Sequence, residues 1–225
     1  MDERVSASAV WRETLAIVCR HPMATIAPAF FLGALTEIPY LFPHSRSVLQ
    51  GVLAFLAESF AFYLYVAYAE SLTSEARWST ESIPLPRVLR HLLLAAPVVP
   101  LVTVASLAAI ALPTATASLL VIPGLWLLTR WSLFAPVIVR EQQGPLVALG
   151  RSNELVRGRF ELVFLTAALA VVLEEAVMDA GALGGVAVTG SETWGEWMGG
   201  SVAAVLILPI ASVATALVYG QLRRM

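Results

Sequence analysis

The stretch GGSVAAVLILPIASVATALVYG, residues 199–220, contains no charged residue. A bilayer core about 30 Å thick is crossed by roughly 20 apolar residues in a helix, so this stretch is long enough to span a membrane. Five further windows are long and predominantly apolar, at about 22–43, 48–69, 92–112, 117–139 and 160–180. Together they predict an all-α, polytopic membrane protein, a single domain over 1–225 with about six transmembrane helices in three hairpins. Short connections at Pro43 to Ser47 and at Leu112 to Thr116 make the first and second pairs antiparallel neighbours. A longer, Gly-rich link over 181–198 is expected to join the last pair. It carries Glu192 and Glu196, with Trp194 and Trp197 suited to a membrane–water boundary.

Composition agrees with that reading. The chain has 225 residues, 58% hydrophobic and 13% charged, with a mean hydropathy of +0.78. Soluble domains run nearer about half apolar and a quarter charged. The formal net charge of −2 hides an uneven layout, because charges gather between the apolar runs. Every basic residue is Arg, and the lone Cys19 excludes an internal disulfide. No cleavable signal peptide is expected, since Asp2, Glu3, Arg4, Arg12 and Glu13 precede the first apolar run without a compact apolar region and small-residue cleavage site after them.

Orientation follows from the arginines, because cytoplasmic loops retain positive charge. Arg4, Arg12 and Arg20 precede the first predicted span; Arg77, Arg87 and Arg90 lie between the second and third; Arg140, Arg151, Arg157 and Arg159 lie between the fourth and fifth; Arg223 and Arg224 follow the last. Arg46 stands alone on the other side. The expected location is the bacterial cytoplasmic membrane with N- and C-termini cytoplasmic. Interfacial helices are expected near 6–20, 82–91 and 144–158.

The segment Gly144 to Phe160 opens with Pro145 at a plausible first helical position. Leu146, Leu149, Val156 and Phe160 fall on one helical stripe, broken at Asn153. Such a helix lies in the interface plane, apolar residues in the acyl boundary and guanidinium groups at phosphate level, each worth about 1 kcal/mol near an anionic leaflet. Arg151, Arg157 and Arg159 are therefore candidate lipid-headgroup contacts. The alternative is an anchoring elbow that positions the fifth predicted span.

A wider pattern surrounds this elbow: Pro123-Gly124 through Arg130, Pro136, Glu141, then Ala148-Leu149-Gly150-Arg151-Ser152 and Leu155 to Gly158. It resembles the membrane domain attached to some bacterial glycerophosphodiester phosphodiesterases and the related YciC-like six-helix membrane proteins. The resemblance implies a six-helix membrane module found alone or beside lipid-related enzymes. Phosphodiesterase activity does not carry over, because the α/β barrel and the metal-binding carboxylates and histidines of the fused enzymes have no counterpart here.

A charge at mid-bilayer costs about 2.5–3.5 kcal/mol on insertion scales and usually faces a partner or water. Glu37, Glu58, Arg130, Glu174 and Glu175 fall inside apolar windows, with Asp179 at a helix end. Glu58 and Arg130 sit roughly halfway along their helices, so they are a candidate intramembrane polar pair: a structural ion pair, or a polar site for a proton relay or an anionic substrate. Glu37, Glu174 and Glu175 lie nearer the outer surface. Glu174 and Glu175 point about 100° apart on a helix, a poor two-carboxylate dyad. Pro28 and Pro39 leave open whether the first span is continuous.

His21, His44 and His91 are scattered between the two sides, and no Gly-rich phosphate loop, zinc-type His pair or nucleophile elbow is present. No catalytic residue, metal or cofactor is expected. The arginines are spread as topology anchors, which argues against nucleic acid as a partner; membrane lipids and other membrane proteins are the expected partners. Three functions are ranked on this basis: a non-enzymatic accessory module for envelope or lipid homeostasis, then a small transporter or channel using Glu58 and Arg130, then an intramembrane enzyme.

Overall fold

The computed structural model describes residues 6–36, 60–70, 73, 126–127 and 129–224. The predicted elements at 82–91 and 92–112, the first half of 48–69 and the first part of 117–139 lie outside the described residues, as do Glu37, Pro39 and Glu58. Among the described residues every regular element is a helix and no strand occurs.

Helix α1 (Ala7–Arg20) begins at Ser6, whose Oγ accepts the Ala9 N–H at 3.3 Å, the usual remedy for an unpaired first-turn donor. It buries Val10 and Thr14 and turns Arg12, Glu13 and Leu15 outward. Pro22 ends it: a residue before proline is pushed out of the α region, and His21 sits at φ −127°, ψ 55°. Helix α2 (Pro22–Thr36) then leaves at 92° to α1.

Helix α2 runs through Pro28 without interruption. Proline has no N–H, so the Ala24 carbonyl four residues earlier loses its helical donor. The helical stretch 60–70, α3, supplies a replacement: the Tyr68 hydroxyl donates to Ala24 O at 2.8 Å, and the Tyr65 hydroxyl donates to the adjacent Thr25 O. Tyr65 is fully buried and Tyr68 nearly so.

Helices α4 (Phe134–Glu141) and α5 (Pro145–Arg157) form the elbow. Gln142 closes α4 in the left-handed region at φ 53°. Pro145 is at the start of α5, where its missing N–H is no loss. Two long helices follow, α6 (Phe160–Thr189) and α7 (Glu192–Arg223).

The structure corrects the expected 181–198 link. Both helices run through it, and only Gly190 and Ser191 make the turn. Gly190 takes φ 67° and donates its N–H to Val186 O at 2.9 Å, while the Ser191 hydroxyl caps α7. The cause is the spacing of four between Gly181 and Gly185 on α6 and between Gly195 and Gly199 on α7, which puts each pair on one helix face. A Cβ at Gly181 would lie 2.5 Å from Gly199 O, and one at Gly195 would lie 2.5 Å from Val186 Cα. At Gly185 and Gly199 it would run into the backbone of Gly195 and Gly181. Glycine here is what lets two helix backbones touch. Helix α2 packs on α7 in the same way, a Cβ at Gly33 meeting Ala204 Cβ at 2.8 Å.

Of the described helices, α7 is long and apolar enough to cross a membrane, and the bent pair Ala7–Arg20 plus Pro22–Gly33 passes the same test if taken as one span. The main core lies at the arginine-bearing end. There Val10, Tyr63, Phe134, Leu149, Val156, Val163 and Val218 bring six helices together. Leu149 and Val156 of the elbow stripe thus face protein, while Leu146 is left exposed.

The glycine contact makes a paired prediction. Gly185→Ala should destabilise the chain by about 1–3 kcal/mol through overpacking. Gly184→Ala, whose Cβ meets nothing within 4 Å, should be neutral or gain up to about 1 kcal/mol. Thermal unfolding of the two variants in a neutral detergent measures the difference, and equal melting temperatures would reject the close-contact account.

Candidate functional site

A broken helix organises the elbow. Residues 129–131 are helical, 132–133 form a turn, and α4 starts at Phe134. Pro136 explains the break, because its ring would clash with the Ser132 carbonyl in a continuous helix. The break strips the Arg130 carbonyl and the Leu133 N–H of helical partners. Ser152 of α5 takes both: its hydroxyl donates to Arg130 O at 2.7 Å and accepts from Leu133 N at 3.2 Å. Ser152 is completely buried.

Asn153, the polar interruption of the elbow stripe, accepts a 2.7 Å hydrogen bond from Arg130 Nη1. The Arg130 guanidinium also lies 3.9 Å from the ring centre of Trp126, a cation–π arrangement. Arg130 is therefore anchored to the elbow and to a neighbour on its own helix. The other half of the predicted pair, Glu58, is outside the described residues.

Arg151 is bound within the protein. Its Nε lies 3.3 Å from Glu141 Oε2 and its Nη1 lies 3.2 Å from Glu154 Oε2. Glu141 in turn accepts a 3.2 Å hydrogen bond from the Tyr219 hydroxyl, so α4, α5 and α7 are tied by one polar chain. Arg157 and Arg159 are exposed at the α5–α6 junction. Glu174 is half-buried on α6, and Glu175 follows it on the same helix.

Beside the Tyr219–Glu141 contact, a cavity of about 580 Å³ opens between the ends of α1, α3, α4 and α7. Arg140, Arg223 and Arg224 line it, with Glu13, Glu70 and Gln221. Glu70, one residue past the predicted 48–69 span, is only 3% exposed. Burial pushes its carboxyl up to about 8; Arg140, Arg223 and Thr73 pull it down but do not offset the lost hydration. Sequence reasoning missed this cavity because its lining comes from four separated segments. No local motif marks Glu70; the i, i+3 spacing of Arg151 and Glu154 was a local signal for their pairing that the lipid-headgroup reading of Arg151 passed over. Among the described residues no group of three or more His, Cys, Asp or Glu is placed to hold a metal ion.

No family model, curated protein or solved structure matches this chain.

Two measurements test this geometry. Ser152→Ala leaves a buried donor and a part-buried acceptor without their partner, so a loss of about 2–6 kcal/mol is expected at roughly 1–3 kcal/mol for each group; a change below that range in detergent unfolding would show that the break is satisfied otherwise. For Glu70, the folded carboxyl ionises near 8 against 4.5 normally. Its contribution to stability is complete below pH 4.5 and is lost as pH rises through 8. Melting temperature should fall across that window, and Glu70→Gln should flatten the fall. An unchanged slope in the variant would assign the pH dependence to another group.

Proposed function

We propose that this chain is a multi-pass helical protein of the bacterial cytoplasmic membrane, with both termini on the cytoplasmic side, acting as a non-enzymatic accessory module in envelope or lipid homeostasis. The carrying observation is the apolar surface of the long hairpin. Helix α7 exposes Trp194, Met198, Val202 and Leu206 at intervals of four, and α6 exposes Leu165, Leu169 and Val172. Val202 is 62% exposed and Leu206 54%. Continuous stripes of this kind suit an apolar solvent better than water.

Helix α6 carries Glu161, Glu174, Glu175 and Asp179, yet backbone contact with α7 commits the two helices to cross together. At 1.5 Å per residue they are about 45 and 48 Å long, so the Gly190 end projects past a hydrocarbon core of about 30 Å. The six-span count and the cytoplasmic orientation rest on the hydropathy windows and the arginine distribution. The accessory role rests on the resemblance carried by residues 123–158 and on the arginines at the membrane surface.

Reporter fusions test the topology. A fluorescent protein after Met225 should fluoresce, and alkaline phosphatase inserted at Gly190-Ser191 should be active; the reverse pattern, or release of the chain by alkaline carbonate, would overturn the reading. For the lipid role, protein extracted in polymer nanodiscs should carry anionic phospholipid enriched over the bulk membrane. A composition equal to bulk would count against it.

A further inference from the structure

We infer that the cavity between the ends of α1, α3, α4 and α7 is a binding site for a phosphate-bearing anion, supplied either as the headgroup of an anionic phospholipid or as a free phosphate. The inference deepens the proposed function, on which the access of a lipid headgroup to this end of the molecule rests.

Three arginines, Arg140, Arg223 and Arg224, line one space of about 580 Å³. They come from the ends of α4 and α7, and all three side chains are exposed. Among the described residues none of them forms an ion pair, whereas Arg151, a few residues along the chain, takes two carboxylates. An arginine cluster without an ion pair among the described residues is suited to an external oxyanion, because the guanidinium fork matches phosphate geometry in two parallel hydrogen bonds.

The two carboxylates in the lining, Glu13 and Glu70, are outnumbered by the three arginines. Glu13 is at the exposed side of α1, and Glu70 is buried below the arginines with its carboxyl held toward the neutral form by burial. Gln221 adds a second kind of contact: its Oε1 is buried and has no partner among the described residues. A carboxamide beside the arginines is complementary to a polar substituent next to the phosphate. The volume exceeds what a bare phosphate needs and fits a small headgroup.

The proposal is tested on the full chain in a neutral maltoside detergent. Thermal unfolding is followed during titration with inorganic phosphate, with dioctanoyl phosphatidylglycerol and with dioctanoyl phosphatidylcholine, ionic strength being matched with chloride. A ligand that binds the folded state raises the melting temperature saturably. Phosphatidylglycerol should do so, and the Arg140→Gln/Arg223→Gln double variant should need at least tenfold more of it. Competition by inorganic phosphate would show that the phosphate group alone is recognised, and saturation by inorganic phosphate without phosphatidylglycerol would identify a free anion as the ligand; both support the site.

Arg20→Gln, exposed and outside the cavity lining, should titrate as the wild type. Should the double variant fail to fold, Arg224→Glu serves in its place with the same expected weakening. The proposal is overturned if neither phosphate probe gives saturable stabilisation, if the cavity variants titrate as the wild type, or if phosphatidylcholine is as effective. These outcomes leave the fusion and carbonate results untouched, so failure of the site is distinct from failure of the membrane reading.

Discussion

Backbone contact between α6 and α7 is the constraint on which the other packing depends. Glycine in a helix interior costs roughly 0.5–1 kcal/mol relative to alanine, and Gly181, Gly185, Gly195 and Gly199 accept that cost within two helices. What offsets it is the dispersion gained by close backbone approach along the seam. The contact fixes the pitch of the hairpin from its turn to its far end. There Val163 of α6 and Val218 of α7 enter the same core as Phe134 and Val156.

A second regularity concerns proline. Pro28 and Pro136 each disturb the helical hydrogen-bond ladder, and in each case a hydroxyl from another helix repairs it. Tyr68 donates to Ala24 O below Pro28, and Ser152 serves both Arg130 O and Leu133 N at the break before Pro136. In an environment short of water, an unpaired peptide group costs several kcal/mol, so breaks are tolerated where neighbouring side chains complete them. These repairs also specify the fold. Tyr68 can reach Ala24 only when α3 lies against the start of α2, and Ser152 can bridge the break only when the elbow is docked.

The helical class and the apolar windows at 160–180 and 199–220 were legible because hydropathy and length are local properties, and these windows lie inside α6 and α7. Pro145 at the start of α5 was legible for the same reason. The turn between α6 and α7 was misplaced because glycines were taken as loop formers, although their spacing of four was present in the sequence and is the signal for helix contact. Leu149 and Val156 showed the right period, yet periodicity does not distinguish a face turned to lipid from one turned to protein. Asn153 stood out as a break in that stripe. Its partner, Arg130, lies 23 residues back, and only the docking of the elbow shows why an amide belongs there.

The arginines separate into kinds that a topology count treats alike. Arg130 is held by an amide and an indole, Arg151 is neutralised by two carboxylates, and Arg140, Arg223 and Arg224 face a shared cavity. The positive-inside reading asks only that positive charge be present on one side, so it does not explain why three arginines line one cavity. Convergence of like charges is electrostatically unfavourable unless solvent or a counter-ion screens it. Glu70, one of two acids in the lining, is buried and biased toward its neutral form, which limits the relief it gives. An anion bound there, as proposed, would relieve that repulsion and tie the end of α4 to the end of α7.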